Sequence, residues 1–172
     1  VINEDAVFKL WKTSYENSNY GIVSCRQTNE NYGKYTEIRF FPSFFTLFGY
    51  SRVIYRIVNY FRLHKKFNFH KEIVFPDWVT GAAVFISKEW FASVNGWTEK
   101  YWLYFEDVDL CKKIKENNGE ICLIRTTNIF HKHGGSTRIN IKTKALTKTE
   151  VIISKHVYFN EHKSGIIKNC IQ

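Results

Sequence analysis

Residues 104–130 read YFEDVDLCKKIKENNGEICLIRTTNIF and contain the pattern that decides the fold class. In the first part, acids are followed by lysines and then by Asn-Asn-Gly, which is typical of a helix that begins near Glu106 and stops at Gly119. The second part is rich in Ile, Leu and Thr, which is typical of a strand. Because helices that alternate with strands define the α/β class, we predict an α/β fold.

The segments on either side continue this alternation. Residues 7–14 have the apolar spacing of a helix, whereas residues 20–27 (YGIVSCRQ) and 77–87 (DWVTGAAVFIS) have the composition of strands. Ser87 is well placed to cap a short helix that follows the second of these strands. A final helix is predicted over about 145–164.

The composition limits the organisation of the chain and its partners. A length of 172 residues suits one domain with a core, so we predict a single domain over residues 1–172. The cysteines at positions 25, 111, 122 and 170 form no CxxC pair, which favours free thiols over a zinc or disulfide framework. The formal net charge of +9 favours an anionic partner, such as nucleic acid, anionic lipid or a phosphorylated small molecule.

A basic amphipathic insert is predicted over about 44–71. Arg52 and Arg56 fall on one side of its helix, and four apolar side chains share the other: Ile54, Ile57, Val58 and Phe61. Such a helix can lie on an anionic membrane surface. It can equally pack its apolar face on the core and leave the basic face in solvent, because the pattern alone does not separate the two arrangements.

Three carboxylates, Glu106, Asp107 and Asp109, begin the helix of the central segment. Acids at a helix start suit the macrodipole, which gives any one of them a structural reason. The aromatic residues before them would remove water from a carboxylate and raise its pKa, and neighbouring acids would raise that pKa further. The cluster is therefore also a candidate general base.

Two other places carry candidate metal ligands. Asp5 is a hard-cation ligand of the kind that Mg²⁺ and Mn²⁺ prefer, although an Asp ahead of a helix is also a common N-cap. His131 and His133, in FHKHGGST, can help to bind a metal or can be ordinary surface histidines. A metal-binding domain built on these two histidines is the weakest hypothesis, because no cysteine ligands lie nearby.

Taken in chain order, these segments resemble the inverting family 2 glycosyltransferases with a GT-A-type fold, and most of all the rhamnosyltransferase-like enzymes of bacterial surface polysaccharide assembly. The matching segments are NED (3–5), TGAAVFIS (80–87), NGW (95–97), WLYFEDVDLC (102–111) and HKHGGS (131–136). Two positions depart from the family pattern, since Thr98 and Asn3 stand where Asp is common.

The resemblance implies roles on the acceptor side of the site. Asp107 would be the general base that deprotonates the acceptor hydroxyl. Glu106 and Asp109 would orient that base or contact the acceptor. Three aromatic residues would line the acceptor sugar site: Trp78, Trp102 and Tyr104.

The resemblance also implies roles on the donor side. Asp5 would coordinate a divalent metal, Mg²⁺ or Mn²⁺, bound to the donor diphosphate, with Asn3 nearby. His131 would help to bind the metal or the diphosphate, and His133 is the competing candidate.

The implied protein is a GT-A-like enzyme with a mixed sheet flanked by helices, which acts at the cytoplasmic face of the cell membrane as a peripheral protein. It would move a sugar, rhamnose by likeness, from a nucleotide diphosphate to a lipid-linked saccharide with inversion. Its partners would be these two substrates and an anionic membrane surface, and not nucleic acid. The nucleotide-binding first half of that family is missing here, so we expect the chain to be a C-terminal portion that is inactive alone.

A second hypothesis comes from a different class of protein. The chain would then be a non-catalytic basic module that binds anionic membrane or nucleic acid. In that case the acids at the start of the central helix would serve only as helix caps.

Overall fold

In the computed structural model, the described residues are 4–28, 39–43, 49–66, 71–131 and 140–162. They form five helices and three strands in the order α1 (Glu4–Glu16), β1 (Tyr20–Thr28), α2 (Gly49–Lys66), β2 (Ile73–Val74), α3 (Lys88–Ser93), α4 (Glu106–Glu116), β3 (Glu120–Phe130) and α5 (Ile141–Glu161). The predicted α/β class is confirmed, with a mixed sheet flanked by helices. None of the helices in these ranges combines the length and the apolarity needed to cross a membrane.

The sheet has the strand order β1-β3-β2. β1 and β3 are parallel, from the pair Tyr20 and Glu120 at one end to the pair Thr28 and Phe130 at the other. β2, which the sequence analysis did not predict, pairs antiparallel with the middle of β3. The carboxyl ends of the two long strands therefore meet at one edge of the sheet, which we call the carboxyl edge.

Helices cover both faces of this sheet. Alternate residues of a strand point to opposite sides, so each face has its own core cluster. On one face, α1 packs against the strands in a cluster that contains Ala6, Leu10, Val23, Cys25, Cys122, Ile124 and Ile129. On the other face, α4 packs in a cluster that contains Ile22, Leu110, Cys111, Ile114, Ile121 and Leu123. The sheet is thus the middle layer of a three-layer arrangement.

Short turns fix the direction of α1 and α4. The turn after α1 is closed by the Tyr20 N–H, which donates to Asn17 O at 2.9 Å. The turn after α4 uses Asn118 at a φ of +64°, and its Gly119 N–H donates to Ile114 O at 2.9 Å. Since each helix leads directly back into a strand, both α1 and α4 begin near the carboxyl edge.

The prediction of a buried strand over 77–87 is wrong for most of that segment. Only Phe85 pairs with a strand, through two backbone hydrogen bonds of 2.9 Å to Val23. Earlier in the segment, the Ser24 hydroxyl of β1 donates to Ala83 O at 2.7 Å, so a side chain takes the place of a ladder bond. Polar side chains on β1 hold this segment as a loop.

The remaining helices are close to their predictions. The Ser87 side chain accepts from Trp90 N at the start of α3, as predicted for an N-cap. α5 begins earlier than the predicted 145–164, because the Asn140 side chain accepts from Thr143 N at 2.8 Å and caps it there. α2 lies inside the predicted insert at about 44–71.

The thiol prediction is confirmed for the three cysteines that the structure describes. Cys25, Cys111 and Cys122 are buried and unbridged. Burial raises the pKa of the Cys25 thiol to about 11 and the pKa values of the Cys111 and Cys122 thiols to about 12. These thiols are protonated and unreactive at neutral pH. Cys170 lies outside the described residues.

Candidate functional site

Asp107 lies in the first turn of α4, at the carboxyl edge. Its Oδ2 accepts a hydrogen bond from the Gly81 N–H at 3.1 Å, and its Oδ1 accepts from the Val108 N–H at 2.8 Å. Burial raises the pKa of Asp107, while the two N–H groups and the charge of Arg39 act in the opposite direction without cancelling the rise. The result is an oriented carboxylate with less water and a higher proton affinity than an ordinary Asp has.

Glu106 is a second partly buried carboxyl beside it. Burial raises the pKa of Glu106, and the negative charge of Asp107 adds to the rise. Its Oε2 is buried and accepts no hydrogen bond from any residue in the described ranges. Glu106 therefore brings an unused hydrogen-bond acceptor to the same helix terminus.

The backbone that enters α4 is strained. Tyr104 and Phe105 have φ values of +66° and +70°, a region that costs a bulky residue roughly 1–3 kcal/mol. α5 supports this conformation, because the Ser154 hydroxyl donates to Leu103 O at 2.8 Å and the Phe105 ring lies 5.5 Å from the Tyr158 ring. The support from α5 fixes the direction in which the first turn of α4 presents its carboxylates.

Asp109 points into the protein and is only 2% exposed. It accepts hydrogen bonds from Thr98 at 2.6 Å and Tyr101 at 3.2 Å, lies 2.7 Å from His162 Nε2, and pairs with Lys113 at 3.7 Å. Burial alone would raise the pKa of Asp109, but its bonds to His162 and Thr98 and the charge of Lys113 outweigh burial and lower it.

These contacts do not favour the predicted role of Asp109 in contacting the acceptor. All of them are internal, and they tie the 98–101 loop and the end of α5 to α4. Thr98, which stands where the resembling family often has Asp, donates to this carboxylate. An Asp at position 98 would bring a second negative charge against it.

The aromatic residues assigned to the acceptor site differ in exposure. Trp78 is partly buried, its Nε1–H donates to Phe40 O at 3.0 Å, and the Arg39 guanidinium lies 4.6 Å from its ring centroid. Trp102 is 76% exposed and offers an open ring face. Tyr104 occupies the strained turn described above. Their role in acceptor binding stays a prediction.

Gln27 and Thr80 position the Gly81 N–H group, which donates a hydrogen bond to Asp107. The Gln27 side-chain amide, near the end of β1, donates to the Thr80 hydroxyl. Thr80 directly precedes Gly81, so the bond holds the loop where its N–H meets the carboxylate. Gln27 was not predicted, although a long polar side chain in an otherwise buried strand could have indicated it. Arg39 was not predicted either, and the sequence offers no signal for it.

The metal candidates lie at the same edge of the sheet but on different elements. Asp5 is exposed in the first turn of α1, on the face opposite to α4. The His131 N–H, just after β3, donates to Thr28 O at 3.0 Å. Asn3 and His133 lie outside the described residues.

Within the described ranges, no three His, Cys, Asp or Glu residues form a group that could hold a metal. The described residues therefore do not make a metal site by themselves. Mg²⁺ at nucleotide sites is usually held by one or two carboxylates together with substrate phosphates. Asp5 has the chemistry of such a ligand, and GT-A-like domains generally use divalent metals.

A mixed α/β sheet with paired carboxylates at the carboxyl edge fits part of a GT-A-like glycosyltransferase fold. The comparison with known families agrees, since residues 62–134 match the model of a family described as the N-terminal domain of galactosyltransferase. The match spans less than half of the 172 residues and includes both Glu106 and Asp107. No curated protein matches the chain. Residues 62–134 thus resemble a glycosyltransferase-type domain, which supports the general class predicted from the sequence.

Gln27→Leu is expected to change the pKa of Asp107 through Thr80 and Gly81, without a direct contact to the carboxylate. Leu fills a similar volume but cannot hold Thr80, so the Gly81 N–H should bond less well to the carboxylate. Because that bond lowers the pKa of Asp107, we expect the substitution to raise this pKa, at a cost of about 1 kcal/mol of stability. NMR titration of the Asp107 carboxyl carbon measures the change. Thr127→Val, at another buried polar residue, is the control, and an unchanged Asp107 pKa in Gln27→Leu would contradict the positioning role.

Proposed function

We propose that this protein transfers a sugar from a nucleotide diphosphate donor to a hydroxyl group of a saccharide acceptor, with inversion at the anomeric carbon. One observation carries the proposal. The Asp107 carboxylate is desolvated, is held by two backbone N–H groups, and lies at the carboxyl edge inside the segment with the glycosyltransferase match. Ligands of open α/β sheets bind at this edge.

In the proposed reaction, Asp107 takes the proton from the acceptor hydroxyl. The acceptor oxygen forms a bond to the anomeric carbon, and the bond from that carbon to the donor diphosphate breaks on the opposite side. The bonding electrons leave with the nucleoside diphosphate, and the proton stays on Asp107 until it is lost to solvent. A single displacement of this kind needs one base, and it inverts the configuration.

Three residues support the proposed role of Asp107 or the binding of the acceptor. The positive charge of Arg39 favours the ionised form of Asp107 and so opposes the rise in its pKa that burial causes. Glu106 has an unused acceptor oxygen at the same helix terminus, which suits a second hydroxyl of the acceptor sugar. The open ring of Trp102 is suited to stacking on a sugar face.

On the donor side, Asp5 and His131 would hold a divalent ion, Mg²⁺ or Mn²⁺, against the diphosphate. Such an ion would neutralise negative charge on the departing nucleotide. The start of α1 and the end of β3 both lie at the carboxyl edge, which supports this assignment.

The finer identity of the substrates is also part of the proposal. The resemblance suggests rhamnose as the donor sugar, whereas the name of the matched family points to galactose. A lipid-linked saccharide of surface polysaccharide biosynthesis is the proposed acceptor, and the cytoplasmic face of the membrane is the proposed location.

Transfer from labelled dTDP-rhamnose and UDP-galactose to lipid-linked saccharide acceptors tests this proposal. The assay uses Mn²⁺ and a complete enzyme that includes the expected nucleotide-binding half, since the chain alone is expected to be inactive. We expect acceptor-dependent release of the nucleoside diphosphate, loss of release when EDTA removes the metal, and an inverted product linkage by NMR. Retained configuration would overturn the single displacement. Failure of both donors would favour the non-catalytic basic module.

A further inference from the structure

The outer side of α2 is apolar and exposed. Tyr50, Ile54 and Phe61 are 93%, 63% and 67% exposed. Together with four neighbours they form what we call the α2 outer face: Tyr50, Val53, Ile54, Ile57, Val58, Tyr60 and Phe61. At 3.6 residues per turn these seven side chains share about half of the helix circumference. A soluble helix normally turns such a face inward, so this one requires an explanation.

The side of α2 that faces the protein carries polar groups. Ser51, Tyr55 and Asn59 follow one another at intervals of four residues and are partly buried. The Tyr55 hydroxyl donates to Phe41 O at 2.6 Å and fixes the orientation of the helix. The arrangement in which the apolar face packs on the core, left open by the sequence, is therefore contradicted.

The charge of α2 limits what can cover its outer face. The helix contains five Lys and Arg residues and no Asp or Glu, and the whole chain has a formal charge of +9. A second copy of the chain on this face would bring two such cationic helices together. A surface that is apolar inside and anionic outside complements the helix, and an anionic lipid bilayer has that structure.

We propose that α2 is a membrane-docking helix, which lies flat in the surface of an anionic bilayer with the α2 outer face inserted between the lipids. Apolar burial would supply most of the affinity, and the Lys and Arg content would make it depend on anionic headgroups and on ionic strength.

A chain of contacts also connects α2 to the candidate site. Phe41, whose carbonyl is bound by Tyr55, donates its N–H to Asp77 Oδ2 at 3.0 Å. Asp77 precedes Trp78, the Arg39 guanidinium lies 4.6 Å from the centroid of the Trp78 ring, and the charge of Arg39 acts on Asp107. Access of Asp107 to a lipid-linked acceptor rests on the proposed function, whereas the docking itself does not.

Co-sedimentation of the full chain with vesicles tests the docking. We expect binding to phosphatidylcholine vesicles that contain phosphatidylglycerol, weaker binding to phosphatidylcholine alone, and loss of binding at high salt. Ile54→Gln combined with Phe61→Gln should weaken binding roughly 30-fold, because two exposed apolar side chains lose their transfer into lipid. Leu146→Gln combined with Ile152→Gln, at comparably exposed positions on α5, is the matched control.

Each outcome either supports or overturns membrane docking by α2. If the native chain does not bind anionic vesicles, or if the α2 and α5 variants bind equally well, the proposal is overturned. If size-exclusion chromatography shows a dimer that only the α2 variant dissociates, a second copy covers the face instead. None of these results depends on sugar transfer, so the docking and the proposed reaction can fail separately.

Discussion

Asp107→Asn is expected to lower the rate of sugar transfer by about 10²–10⁴-fold, whereas two effects of opposite sign act on its stability. The amide cannot take the acceptor proton, which accounts for the loss of rate. Burial raises the pKa of Asp107, so at neutral pH its ionised form costs the folded state free energy that an uncharged amide does not. The amide has a single acceptor oxygen for the Gly81 and Val108 N–H groups, so one of the two hydrogen bonds is lost, at a cost of about 1–3 kcal/mol.

The sign of the pH dependence follows from the same shift. Because the folded-state pKa lies above the unfolded value, the contribution of Asp107 to stability is fully present below the unfolded pKa and is lost as pH rises through the folded pKa. The pH-dependent part of the difference in unfolding free energy between the native protein and Asp107→Asn should therefore develop as pH rises from the unfolded pKa to the folded pKa of Asp107. Transfer should decline in the native protein as acid protonates the base.

Kinetics and thermal unfolding of Asp107→Asn, measured side by side, check this expectation. Glu72→Gln is the control, since Glu72 is an exposed carboxylate whose contact is the Thr126 hydroxyl at 2.7 Å. Near-normal transfer by folded Asp107→Asn would show that Asp107 is a structural residue.

Asp109→Asn is expected to act mainly on stability, with a loss of about 3–5 kcal/mol of unfolding free energy. That corresponds to a fall of roughly 10 °C in melting temperature for a chain of this size. The substitution removes a buried charge that accepts from Thr98 and Tyr101 and pairs with Lys113 and His162. The remaining partners are then left without the charge that compensates them.

The pKa of Asp109 is lowered, so its stabilisation is present above the unfolded pKa and is lost as pH falls through the folded pKa. The difference between Asp109→Asn and the native protein should thus shrink in acid. A double-mutant cycle with His162→Gln provides the control. The combined loss should be smaller than the sum of the single losses, because the two side chains share one contact. Additive losses would show that the contact with His162 contributes little.

Local signals explain which parts of the fold could be predicted. α4 and β3 follow from the acids, the lysines and the Asn-Asn-Gly stop, all within one short segment. The 77–87 loop was mistaken for a strand because its composition is the same whether its partners are strand backbones or the side chains of β1. Only the three-dimensional structure distinguishes these partners.

The candidate site could be proposed from the sequence in part for a similar reason. The aromatic residues before Glu106 and Asp107 indicate these two acids as candidates, and their roles stay predictions. Asp109 was grouped with them, yet residues two apart on a helix point in different directions, so Asp107 and Asp109 cannot share one environment. Gln27 and His162 act across the fold on residues far away in the chain, and no local pattern marks such pairs.

The pairing of β1 with β3 bears on how much of the chain can be excised. The family match covers residues 62–134, but this span leaves out β1, which forms the parallel partner of β3, and His162, which contacts Asp109. Cutting the chain at the limits of the match would expose a bare strand edge and strip a buried carboxylate of a partner. We therefore expect the matched segment not to be an autonomous folding unit, and truncation for crystallography should keep α1 through the end of α5.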